Sequence, residues 1–177
     1  IQTSLPDPSG MLSLGVSIDI VKAAVENASI VMAQVNSFMP RVHGDTFISV
    51  DDVDFLFHHD EPLLEYDSGE PDEVSERIGR LVARMVLDGD TIQVGYGSLP
   101  NAIMANLHNK RDLGVHTELL SDGLVELIKS GAINNSRKTV DRGKTVATFC
   151  MGRRSTYEFL HDNPSISFHP VEYTNNP

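Results

Sequence analysis

Apolar residues recur along this chain in two rhythms, and their alternation gives the order of elements. From Asp72 to Leu87, Val74, Ile78, Leu81, Val82 and Met85 fall on one side at helical spacing, with acids in the first turn, which predicts an amphipathic helix. Ile18 to Glu26 has the same spacing on Ile18, Val21, Ala24 and Val25; Ser17 would cap it and Asp19 suits its first turn. Ser29 to Val35 reads S-I-V-M-A-Q-V, a buried strand, and Thr46–Val50 and Val53–His58 are shorter strand patterns. Thr91–Val94 is a further strand, followed by Gly95 and Gly97, then a helix opened at Leu99-Pro100. Gly114–Thr117 is a strand, Leu124–Lys129 a helix and Thr145–Met151 a strongly β run. Arg154–His161 is a short helix with Tyr157, Phe159 and Leu160 as core, and Ser165–Phe168 a last strand. The closing V-E-Y-T-N-N-P has no element of its own.

Strands alternating with helices predict an α/β fold with a parallel or mixed sheet covered by helices. The linker-like E-Y-D-S-G-E-P at 65–71 divides the chain into two α/β pieces, 1–66 and 67–177, and each looks incomplete.

Composition narrows the function classes. The chain has 177 residues, 40% of them hydrophobic, enough for a core. A net charge of −11 argues against nucleic-acid binding. Up to Asn109 there are 17 acidic and 5 basic residues; from Lys110 onward there are 8 and 9, so a phosphate-bearing ligand is better tolerated there. No run of about 18 apolar residues is present, so no membrane span is expected. The lone Cys150 permits no intrachain disulfide, and a soluble, reducing, cytoplasmic setting is the expectation. His58-His59-Asp60-Glu61 is not read as a metal site, because neighbours on a strand point to opposite faces. Asp51-Asp52-x-Asp54 lacks the glycine and distal glutamate of a calcium loop, so no metal is expected.

The stretch with most chemical content runs from Thr91 to Gly123. Its glycine turn, Gly95-Tyr96-Gly97-Ser98-Leu99, exposes backbone N–H groups that can hold an anion or a carbonyl oxygen gaining charge. Glu118 lies at the carboxyl end of the next strand, where open α/β sheets bind ligands. Spacing alone favours reading Glu118 as a helix-start carboxylate, or as part of a cap with Ser121 and Asp122. His116 shares its face and either orients the carboxylate or packs in the core. Cys150 reads as a small core residue.

G-Y-G-S-L-P followed by V-H-T-E-L-L-S-D-G resembles the acetyl-CoA hydrolase/transferase family, and within it the 4-hydroxybutyrate CoA-transferase-like branch. S-L-G-V-S and A-Q-V-N-x-x-M-P in the first part resemble the same family. The resemblance implies two CoA-transferase-type α/β halves, with residues 1–66 closing the first and 67–177 opening the second. It implies that Glu118 is the nucleophile, that Gly95, Tyr96, Gly97, Ser98 and Leu99 contact coenzyme A, and that Gln34, Asn36 and Met39 face the cleft. Gln34 and Asn36 would either bond the acyl or carboxylate group or satisfy nearby backbone. Tyr96 departs from the small or aliphatic residue usual between those glycines. The implied partners are an acyl-CoA and a small carboxylate, with a homodimer by family analogy. The activity is CoA transfer, or acyl-CoA hydrolysis if water takes the acyl group. Family members are far longer, so the chain reads as a piece of a longer protein, one that binds CoA without turnover if catalysis needs the remaining segments.

Overall fold

The computed structural model describes residues 1–67 and 69–176; Ser68, within the expected linker, and Pro177 lie outside the described residues. The fold is α/β, as the alternation predicts. In the first part, β1 (Gln2–Thr3), β3 (Met32–Val35) and β5 (Phe55–His58) form a parallel sheet in the order β1-β3-β5. β2 (Met11–Ser13) pairs antiparallel with β4 (Phe47–Ser49). One sheet face is buried through Ala33 and Val35, while Met32, Phe55 and Phe57 remain exposed on the other. The expected buried strand 29–35 is therefore buried on one side only.

The helix expected from Ile18 begins later, as α1 (Val21–Asn27), with Ile20 at the cap position and no side-chain cap from Ser17. The backbone before it is committed elsewhere. Ser17 bridges to Phe149, and the N–H groups of Ile18 and Asp19 both donate to the Thr148 carbonyl. Asp19 is consequently held at φ 31°.

α2 (Glu73–Ala83) is capped by Asp72, whose carboxylate accepts from Ser75 N–H at 2.8 Å. It packs on α3 (Ser98–Ala105) through its small residues. A Cβ at Gly79 would stand 2.6 Å from the Ala102 carbonyl oxygen, so glycine permits this close crossing. The apolar stripe expected over 72–87 faces outward instead, with Val74 at 62% and Leu81 at 60% exposure; the helix ends at Ala83, and Met85, beyond it, is 79% exposed.

Three parallel pairings follow: β6 (Thr91–Ile92) with β7 (Gly114–Val115), β8 (Leu119–Leu120) with β10 (Phe149–Cys150), and β9 (Thr145–Ala147) with β11 (Ile166–Phe168). A bridge from His116 to Val146 joins them side by side. The run 114–120 is thus one interrupted strand, with Thr117 and Glu118 at the interruption. α4 (Asp122–Lys129) and α5 (Arg154–Leu160) cover this part, and α6 (Val171–Thr174) gives the closing segment a short helix that its sequence does not announce.

Two apolar clusters hold the molecule. One joins Leu12, Ile18, Val35 and Ile48 to Leu120, Val125, Leu160 and Phe168, and so draws on both sides of residue 66. The other gathers Met104, Leu113, Val115, Leu124 and Ile133. Among the described residues no helix is long and apolar enough to cross a membrane.

Candidate functional site

Glu118 is half-buried in the gap between β7 and β8. Its carbonyl accepts from Thr148 N–H at 2.9 Å and Phe149 N–H at 3.1 Å, which fixes its backbone against the neighbouring strand. Its Oε1 accepts from Asn175 Nδ2, just past α6, so the carboxylate is not engaged with the start of α4. That start is Ser121, which makes no side-chain cap bond. His116, two residues earlier, stacks on Tyr173 at 6.1 Å, and Tyr173 stacks on His169 at 4.3 Å. His169 is held below the ordinary histidine range, chiefly by burial, and its Nε2 lies 2.8 Å from Ser167 Oγ.

The glycine turn approaches Glu118 from the end of β6. Gly97 caps α3 at φ 116° and ψ −176°, a conformation essentially reserved for glycine. The first N–H groups of a helix have no intrahelical partner, so Ser98 and Leu99 begin α3 with backbone donors directed outward. Gly95, Tyr96 and Gly97 share a cleft with Leu119, Ser121 and Asp122, which brings the turn against the segment that carries Glu118. The cleft holds only about 20 Å³, and Tyr66 lines it from the linker. The Tyr66 and Tyr96 rings stack with centroids 4.9 Å apart, and their hydrogen bond raises the Tyr66 phenol above its ordinary range.

Asp122 and Gly123 have structural occupations. The Asp122 carboxylate accepts from Arg153 N–H and from Thr156 Oγ1 at the start of α5, and a Cβ at Gly123 would meet the Met104 side chain. Cys150 is buried, and burial pushes its thiol far up, so it is held as a neutral core thiol.

The first-part residues are spread more widely. Asn36 is fully buried, and its side chain is spent on backbone: Nδ2 donates to Glu61 C=O at 2.7 Å, and Oδ1 accepts from Phe38 and Glu61 N–H. Gln34 Nε2 donates to His59 C=O at 3.0 Å. Met39 packs beside Gly15 and lines a separate cavity of about 290 Å³ with Phe38, Leu63, Arg154 and Tyr157. None of the three lines the cleft of the glycine turn. His58 and Asp60 form an ion pair at 3.3 Å.

Three residues at the site were given no role from the sequence, although Thr117 stands inside the V-H-T-E-L-L-S-D-G motif. Thr117 bonds to Val94, Tyr66 reaches the turn from the linker, and Asn175 reaches Glu118 from 57 residues away.

The fold superposes on RipA from Yersinia pestis with a TM-score of 0.96 and 40% identity, over 99% of this chain and 41% of that one. A 4-hydroxybutyrate CoA-transferase from Porphyromonas gingivalis superposes with a TM-score of 0.94 and 38% identity, over 98% and 44%. The chain belongs to the acetyl-CoA hydrolase/transferase family, and residues 1–65 match the model of the Acetyl-CoA hydrolase/transferase N-terminal domain. It is 45% identical over 177 residues to the 4-hydroxybutyrate coenzyme A transferase of Clostridium kluyveri, covering all of this chain and 41% of that protein. It is 44% identical over 171 residues to the succinyl-CoA:cyclohexane-1-carboxylate CoA transferase of Geobacter metallireducens, covering 97% and 39%. The chain therefore spans about two fifths of the length of the curated relatives it matches.

Proposed function

We propose that the protein carrying this chain moves coenzyme A from a short-chain acyl-CoA to a carboxylic acid through a thioester on Glu118. A Glu118 oxygen bonds to the acyl carbonyl carbon, the C–S bond breaks, and CoA leaves as a thiolate. The thiolate attacks the glutamyl carbonyl of the resulting anhydride, which releases the first acid and leaves a glutamyl-CoA thioester. An incoming carboxylate attacks that thioester and expels the thiolate, which then attacks the new acyl carbonyl. The new acyl-CoA departs and the Glu118 carboxylate is restored. Covalent catalysis splits one difficult exchange into easier ones. Each tetrahedral intermediate bears an oxyanion, for which the Gly97 and Ser98 N–H groups are the donors in this reading; losing one such donor typically costs on the order of 10² in rate.

The observation that carries the reading is the convergence of the glycine turn on one cleft with Ser121 and with Leu119, the residue that follows Glu118 in the chain. Gly95 through Leu99 hold coenzyme A in this scheme. Met39 belongs to the acyl-group side, whereas Gln34 and Asn36 act through the backbone they hold. The division at 66/67, with the second half bearing the nucleophile, and assembly as a homodimer belong to the same reading. Trapping with borohydride after incubation with acetyl-CoA tests it, because the thioester is reduced to an alcohol and the mass loss maps to one residue. A loss at Glu118 is the expected result; a loss elsewhere, or turnover surviving in E118A, removes Glu118 from the mechanism. Acetate-dependent exchange separates transfer from hydrolysis.

A further inference from the structure

Thr117 makes a bond pattern that a regular strand would not. β6 and β7 run in parallel register, with Gly114 N–H donating to Asp90 C=O at 2.8 Å and His116 N–H to Ile92 C=O at 3.1 Å. The next rung of that ladder would send Val94 N–H to the His116 carbonyl. Instead, Val94 N–H donates to Thr117 Oγ1 at 3.1 Å, and the same hydroxyl donates back to Val94 C=O at 3.1 Å. One side chain thus replaces a backbone rung and takes both polar groups of a residue 23 positions upstream.

The position of this clasp is what gives it consequence. Val94 is followed by Gly95, where the donor turn begins, and Thr117 is followed by Glu118. Thr117 is 1% exposed, and its own N–H donates to Val146 C=O at 3.0 Å, so it is tied to strands on both sides. The shortest connection between turn and carboxylate is one peptide link, two hydrogen bonds and one more peptide link, buried at its Thr117 end.

We infer that Thr117 is a positioning residue for CoA transfer: its hydroxyl ends the β6 ladder at Val94 and sets the glycine turn at its working distance from Glu118. The inference rests on the reading of Glu118 as nucleophile. Without the hydroxyl, Val94 N–H falls back to the His116 carbonyl, β6 straightens by one rung, and Gly95–Ser98 is displaced. A misplacement of about 1 Å can cost about 10²-fold in rate.

The test uses T117V, which keeps shape and burial but loses both bonds, and T117S, which keeps the hydroxyl, in the longest natural polypeptide that carries this sequence. The rate of borohydride-trappable adduct at Glu118 is measured at saturating acetyl-CoA, alongside the thermal midpoint. The expected result is a fall of about 10- to 100-fold in T117V and a rate within about threefold of wild type in T117S. The saturated rate is read per folded molecule, so lost stability alone does not move it. A wild-type adduct at Glu118 with T117V reacting at the wild-type rate overturns the role of Thr117 and leaves that of Glu118 standing. No Glu118 adduct in wild type overturns both.

Discussion

The carboxylate of Asp122 accepts the backbone N–H of Arg153 at 3.0 Å, across 31 residues of sequence. Arg153 is the cap residue of α5 and has no side-chain cap bond; the first helical N–H, of Arg154, goes instead to Glu65 Oε2 at 2.9 Å, while Asp122, which also accepts from Thr156 Oγ1 at 2.5 Å, holds the start of α5 from a different helix. In this way the segment after Glu118 is bolted to α5. Replacing Asp122 with alanine should cost about 1–3 kcal/mol, the loss of hydrogen bonds to a charged acceptor. D122N keeps an acceptor oxygen and should cost less. Urea denaturation of the two variants checks the order; equal stabilities would remove the role of the charged acceptor at Asp122.

Lys138 gives a pH-dependent prediction. Its ammonium donates to Val115 C=O and Lys144 C=O, both at 2.8 Å, and burial pulls its pKa from 10.5 down to about 8. The unfolded chain keeps this proton up to the ordinary lysine range, while the folded chain releases it near pH 8. Between those values the unfolded state binds more protons, so this group makes stability rise with pH. Cys150 acts the other way: its thiol is pushed up by burial, so the unfolded chain loses that proton first and stability falls as pH rises past about 9. The difference between wild type and K138M cancels the cysteine. Measured by denaturant at pH 7.5 and pH 9.5, that difference should shift in favour of wild type at the higher pH; a flat difference would show that Lys138 does not titrate there.

The periods in the sequence announced the elements well, and the reason is local. Glu73–Ala83 has its acids, its cap at Asp72 and its apolar spacing within its own span. Which face of that helix is buried was not legible, because it depends on Ala102 offering a flat partner to Gly79, while the larger residues of the stripe point outward. The start of α1 was misread for a similar reason: the Thr148 carbonyl claims the backbone of Ile18 and Asp19 from 130 residues away, and no local pattern encodes that. Glu118 and the glycine turn stood out in the sequence as a motif. The groups that hold them in place, Thr117 on Val94, Asn175 on Glu118 and Tyr66 on Tyr96, are ordinary residues given meaning by non-local partners. Asn36 is the converse case, a polar side chain legible as a candidate for substrate whose three bonds all go to backbone.

The two glycines of the turn should respond differently to alanine. At Gly97, φ is 116° and an added Cβ meets nothing within 4 Å, so G97A should cost about 1–3 kcal/mol of backbone strain without any clash. At Gly95, the added Cβ meets only Pro100 Cγ at 3.6 Å, an ordinary contact, so G95A should fold with nearly wild-type stability. Both should weaken coenzyme A binding if the ligand approaches this backbone. Calorimetric titration with coenzyme A beside thermal melts separates the two effects, and a G95A variant with unchanged affinity would place the ligand away from Gly95.

Tyr66 lines the cleft of the glycine turn, where coenzyme A binds in the proposed scheme. Its ring stacks on Tyr96 at 4.9 Å, while its backbone N–H is held separately by Gly152 C=O at 3.0 Å. Removing the ring therefore leaves the linker tied in place. An aromatic stack of this kind contributes about 0.5–1.5 kcal/mol, so Y66A should lose no more than that in stability. The cleft of about 20 Å³ has room for little more than a water molecule while the ring is in place. If coenzyme A enters this cleft, Tyr66 has to swing aside first, and Y66A should bind coenzyme A with a faster association rate in stopped-flow measurements. Y66F keeps the ring and loses only the hydroxyl bond, so its association rate should stay close to that of wild type. A Y66A variant that associates no faster than wild type would mean that the ligand reaches the turn by a route Tyr66 does not cover.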